Sequence, residues 1–162
     1  IILPQSDYDP SEVALPWQVW RHVGHEVHFA TETGEPAACD PVTLTGEGLP
    51  VYAMSLKARD PARAAYAAML EDPAYQRPLR WDQARAADYA ALHFPGGHAP
   101  GMKPYCESGE VMRLAQEAFA ADQPVSAVCH GVLPLARRAR TAAPEQLAAD
   151  SVVAVIPARF PG

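Results

Sequence analysis

A cysteine followed by a histidine and a glycine, Cys129-His130-Gly131, stands between an apolar run and a helix-forming stretch. A thiol on a sharp strand-to-helix turn is held exposed above the carboxyl edge of a sheet, where it can attack a carbonyl carbon. The positive end of the following helix favours thiolate over thiol there and lowers the ordinary cysteine pKa of about 8.5. Gly131 supplies the small residue that lets the chain turn tightly. The plainer alternative is a small buried cysteine closing a core strand, and the Cys-His-Gly turn makes that the weaker reading. His130 follows the thiol directly, and neighbours on a turn tend to point apart, so its ring is expected to face away from the sulfur.

Two further stretches carry residues of the right type. In PGGHAPGM, residues 95–102, Gly96 and Gly97 let the backbone approach a substrate. Their amides, with that of His130, are candidates to hold a developing oxyanion. His98 either binds a carbonyl and shuttles a proton or simply hydrogen-bonds within its loop. In DYDPSEVALPW, residues 7–17, Glu12 reads on position alone equally as an exposed first-turn glutamate or as a functional acid. Cys106 precedes a helix without a neighbouring base and reads as structural, and Cys39 sits in a loop without a partner. Three cysteines cannot all pair, no zinc spacing is present, and no metal is expected. Free thiols in a reducing cytoplasm are the simplest reading.

These residues need a scaffold that brings distant positions together. Residues 1–5 (IILPQ) read as a buried strand ending at Pro4. A helix follows, capped by Asp9 or Ser11 with Pro10 at an early position and closed by Gly24. Residues 25–32 alternate as a second strand. Residues 33–57, rich in glycine and proline, read as a loop or irregular β excursion. A helix with an Asp cap is expected over 60–72, one short turn over 81–87, and a core strand over 88–97. A helix over 108–121, a strand at QPVSAVCHG, the helix VLPLARR and a last strand over 151–156 complete the pattern. Strand, helix, strand in the first 31 residues begins a parallel α/β sheet.

Composition sets bounds on this reading. The 162 residues suit one domain, and 49% hydrophobic with 20% charged residues suits a folded core. A net charge of -6 offers no footprint for nucleic acid, and the arginines at 137, 138 and 140 read as a solvated helix end. No apolar run approaches the ~20 residues that span a bilayer, so no membrane partner is expected.

AVCHGV and LHFPGGHAPGM, with DYDPSEVALPW upstream, resemble the ThiJ/PfpI superfamily (class I glutamine amidotransferase-like). Within it, they are similar to bacterial glutathione-independent glyoxalases and heat-shock chaperones. The resemblance runs from Ile1 to about Arg138 and implies a single domain with a flavodoxin-like α/β sandwich, a mainly parallel sheet with helices on both faces. It places Glu12 as the acid that points from the first helix at Cys129. A carboxyl beside a thiolate is costly unless protonated, so Glu12 should carry a raised pKa and donate to sulfur. It implies that His98 faces the same pocket. Some members pair the histidine at position 130 with an acid, and no residue here is identified as that acid.

The activity it implies is a cysteine-dependent reaction on small reactive carbonyls such as methylglyoxal, with catalytic Cys129, Glu12 and His130. A deglycase or an amidase/peptidase would use the same machinery. A stress chaperone is the rival of another class, and a redox sensor oxidised at Cys129 is a third. No cofactor is implied. The expected partner is a small-molecule carbonyl substrate, with a homodimer as an option. Residues 139–162 depart from the family pattern and are expected to be an atypical, shortened or cut ending.

Overall fold

The structure is a computed structural model that describes residues 1–48, 55 and 57–138. The strand expected over 151–156 and the side chains of Arg138 and Arg140 lie outside the described residues. A parallel ladder runs through the middle of the fold. Strand β5 (Leu92–Phe94) pairs in parallel with β6 (Val125–Ala127), and β2 (Ala30–Thr31) pairs in parallel with β4 (Leu79–Arg80). Residues 1–3 lie between these pairs. The Ile2 amide donates to the His93 carbonyl at 2.9 Å, the Leu3 amide donates to Ala30 at 2.8 Å, and Ile2 bridges Ala30 in parallel. The spatial order is therefore β4, β2, residues 1–3, β5, β6. The strand order reverses between residues 1–3 and β5, and the crevice beyond such a reversal, at the carboxyl ends, is where open α/β sheets bind ligands.

The chain leaves residues 1–3 through Pro4 and forms β1 (Ser6–Tyr8), which pairs with β3 (Ala38–Cys39) through an irregular register. Asp7 there has φ 66°, a left-handed conformation that aspartate tolerates better than most residues. Helix α1 (Pro10–His22) starts as expected, with the Asp9 carboxylate accepting from the Ser11 amide at 2.7 Å and Pro10 at its first position. It buries Val13, Ala14 and Trp17 and packs on α3 (Asp60–Leu70), which buries Ala62, Ala65 and Met69. The expected Asp cap of α3 is not formed. Arg59 holds the cap position without a side-chain bond, and Asp60, already helical, pairs with Arg63.

The excursion after β2 holds β3 and α2 (Pro41–Thr45), and α4 (Pro73–Gln76) precedes β4. The strand expected over 88–97 is only three residues long: a 3-10 turn holds Ala86–Asp88, a bend follows at 89–90, and the chain leaves the ladder at Pro95. Helices α5 (Lys103–Glu107), α6 (Gly109–Ala120, capped by Ser108) and α7 (Val132–Arg138) complete the described chain, and α7 packs on α5 and α6. Arg137 is not a free helix-end charge: it donates to the Cys106 carbonyl at 2.7 Å and lies 3.7 Å from Glu107. The result is a flavodoxin-like α/β sandwich. No described helix is long and apolar enough to cross a membrane.

Candidate active site

The nucleophile turn is built from backbone sterics. The Val128 amide still ladders onto Phe94 at 3.0 Å, and the next residue, Cys129, swings to φ 52°. A non-glycine residue in that region costs roughly 1–2 kcal/mol, a strain typical of a nucleophile held on a sharp turn. Residues Cys129–Gly131 then form a 3-10 turn that feeds α7. The left-handed residue is thus the cysteine, and not the glycine after it. Gly131 is needed for space instead, since a Cβ there would be driven into the Phe94 carbonyl. Gly96 is equally confined: its Cβ would lie 2.6 Å from the His130 amide nitrogen and 2.7 Å from the Val128 carbonyl.

Glu12, on the first turn of α1, meets this turn. Its carboxylate accepts from the Gly96 amide at 2.8 Å and lies in hydrogen-bonding reach of the Cys129 thiol. Burial, with the Asp9 charge adding to it, pushes the Glu12 pKa from 4.5 up to about 7. The Cys129 thiol is also pushed up, by burial first and by Glu12 next, against hydrogen bonds that favour the anion. The helix end does not outweigh these effects: the 3-10 turn intervenes between the thiol and α7. The Glu12 charge thus adds to the cost of ionising Cys129.

Two histidines flank the sulfur. His130 Nδ1 lies 3.5 Å from Sγ, so its ring does not face away from the thiol. The same nitrogen is 2.5 Å from the Gly97 carbonyl. A carbonyl only accepts, so Nδ1 carries the proton and donates to it. That bond turns the ring back over the thiol and leaves Nδ1 unable to take the thiol proton. No described carboxylate bonds to His130. His98 is exposed, with Nε2 3.7 Å from Sγ and its ring edge-on to His130 at 5.7 Å.

The structure therefore brings Cys129, Glu12, His130, Gly96, Gly97 and His98 together. Gly96 departs from its expected place, because its amide is spent on Glu12 and is not free for an oxyanion. The Gly97 and His130 amides are directed instead at the Cys129 sulfur, where they favour the anion.

Three residues of the site were assigned no role from the sequence. Asp7 ties down the glycine loop, its carboxylate accepting from the Gly101 amide at 2.8 Å. Tyr105 is fully buried near Glu12 with an unpartnered hydroxyl. His93 reaches from β5 to the Glu12 carbonyl. Histidine inside the apolar run LHF is the one sequence signal among them. Cys39 and Cys106 are buried and are pushed up by burial. A separate cavity of about 320 Å³, lined by Ile2, Trp20, Phe29, Leu92 and Ser126 among others, opens at the amino ends of the strands, away from Cys129. No group of three or more His, Cys, Asp or Glu among the described residues is arranged to hold a metal ion.

Known proteins place this geometry. An uncharacterised protein of Schizosaccharomyces pombe, C14C4.04, is 27% identical over 154 residues, covering 94% of this chain and 55% of its own. Three solved structures share the fold at 17–20% identity. One known as APC35852 has a TM-score of 0.60, with 83% of this chain and 57% of that one covered. A two-domain protein of Anabaena variabilis, with DJ-1/ThiJ/PfpI-like and ferritin-like domains, has a TM-score of 0.57, covering 85% and 32%. The Francisella tularensis Rapid Encystment Protein also has a TM-score of 0.57, covering 85% and 61%. The chain thus spans about half the length of the curated relative. A family profile described as ThiJ/PfpI family-like matches residues 3–157. With that match running through the Glu12 helix, the glycine loop and the Cys129 turn alike, the chain belongs to the ThiJ/PfpI-like family.

Proposed function

We propose that the chain is a cysteine-dependent enzyme acting on small 2-oxoaldehydes of the methylglyoxal type. The observation that carries this is the Glu12 carboxyl, raised to about 7, in hydrogen-bonding reach of the Cys129 thiol. A glyoxalase-type reaction needs a nucleophile next to a group that both gives and takes a proton near neutrality. The thiol sulfur adds to the aldehyde carbon, and the S–H proton ends on the new hydroxyl of the hemithioacetal. Ionised Glu12 removes the proton from that carbon to give an enediolate and returns it to the neighbouring carbon, while the hydroxyl proton passes from the first oxygen to the second. The product is a thioester of a 2-hydroxy acid, which water cleaves to free the acid and restore the thiol. The Gly97 and His130 amides, directed at the sulfur, suit the oxyanion that forms on the carbon it attacks, and exposed His98 suits the carbonyl oxygen of an entering substrate.

A second reading is binding of unfolded chains, favoured by Leu15, Val19 and Val23, exposed at helical spacing along α1 and just past its end. One assay panel on wild type and Cys129→Ala separates the readings: 2-hydroxy acid formation from methylglyoxal, amide hydrolysis, and suppression of aggregation. The proposal expects hydroxy acid formation by the wild type and none by the variant. A variant that still forms the acid, or a wild type whose sole activity is thiol-independent suppression of aggregation, overturns it.

A further inference from the structure

Helix α1 carries a proline in its interior, Pro16. Proline has no N–H, so the carbonyl four residues earlier loses its helical donor. That carbonyl belongs to Glu12. It is supplied from outside the helix: His93 Nε2, on β5, lies 2.9 Å away. Because a carbonyl can only accept, Nε2 carries the proton and Nδ1 is the acceptor. The Ser126 hydroxyl on β6 donates to Nδ1 at 2.7 Å. His93 is 4% exposed, and burial pushes its pKa down to about 4, which keeps the ring neutral. Trp20, also on α1, stands edge-on to it at 5.3 Å.

The chain of bonds joins the two halves of the site. Ser126 lies three residues before Cys129, and His93 lies three residues before Gly96, whose amide holds the Glu12 carboxylate. Glu12 is thus held at both ends by β5 and the loop that leaves it, its carbonyl by the His93 side chain and its carboxylate by the Gly96 amide. We infer that His93 is a positioning residue for Glu12. Pro16 withdraws the helix's own donor, and the Ser126–His93–Glu12 bridge sets the acid's backbone against the nucleophile strand. The inference rests on the reading of Glu12 as the acid beside Cys129. A displacement near 1 Å can cost on the order of 10²-fold in rate, so an anchor of this kind bears on chemistry and not on folding alone.

The test separates positioning from simple satisfaction of a buried carbonyl. His93→Leu with Pro16→Ala removes the bridge and restores the helix's own N–H to the Glu12 carbonyl. The readout is the pH profile of Cys129 alkylation, which needs no substrate, alongside the melting midpoint. The double variant is expected to fold near the wild-type midpoint while the inflection that Glu12 imposes is displaced or lost. His93→Gln, which keeps a donor near the Nε2 position, is expected to retain it. A folded double variant with the wild-type profile overturns the inference. If the double variant does not fold, Ser126→Ala decides the matter: it removes only the partner of Nδ1, and an unchanged profile is again fatal. Absence of methylglyoxal turnover in the wild type would count against the proposed reaction and leave this comparison standing. A Glu12→Gln profile identical to the wild type's would overturn both.

Discussion

Burial makes both Glu12 and Cys129 resist ionisation, and at the cysteine the Glu12 charge adds to the effect. The glutamate titrates near 4.5 in an unfolded chain and near 7 in the folded one. Between those values the folded state binds the extra proton, so the stability it confers is full below about 4.5 and is lost as pH rises through about 7. Glu12→Gln removes that loss while its amide oxygen can still accept from Gly96. Its melting point is therefore expected to exceed the wild type's at about pH 8 and to converge with it at about pH 5. Thermal melts at the two values check the sign, and a Glu12→Gln variant that melts no higher than the wild type at about pH 8 would contradict the raised pKa. The same variant tests chemistry. Methylglyoxal turnover is expected to fall by something like the 10²–10⁴-fold typical of a lost general acid-base, while the thiol stays open to alkylation. Wild-type turnover in Glu12→Gln would make Glu12 an ordinary helix residue.

Among the elements, the turn from β6 into α7 is the one with least room. Gly131→Ala would push a Cβ into the Phe94 carbonyl on the neighbouring strand. The cost is expected at or above the upper end of the ~1–3 kcal/mol typical of overpacking, with alkylation of Cys129 altered as the turn shifts. Chemical denaturation checks this, and a variant as stable as wild type would mean that the turn is not confined as described. This turn also shows how far the sequence reaches. Asp9 caps its helix as its type and position suggest, because capping is local. The Cys-His-Gly turn is legible for the same reason. What is not legible depends on partners distant in the chain. The left-handed φ falls on Cys129 because β5 crowds Gly131, and the Gly96 amide is spent on a carboxylate 84 positions away. His130 turns back over the sulfur because Gly97 offers a carbonyl. The described strands are two or three residues long, shorter than their apolar runs suggest. Pro16 was in plain sight, yet its meaning for Glu12 needs the position of His93.

Across the whole molecule, the parallel order places the ends of residues 1–3, β5 and β6 side by side at the reversal of strand order, and Glu12, Gly96 to His98 and Cys129 converge there. The fold also sorts the three thiols. Cys39 is 8% exposed and Cys106 6%, both pushed up by burial, whereas Cys129 is only half-buried at the carboxyl edge of the sheet. Since burial and Glu12 raise Cys129 too, access and not acidity is what should single it out near neutrality, and its alkylation should accelerate as pH rises. The most direct measurement is brief treatment of the folded protein with iodoacetamide near neutral pH, followed by peptide mass mapping. The account expects carbamidomethylation of Cys129 well before either of the others. Modification of Cys39 or Cys106 ahead of Cys129 would contradict it.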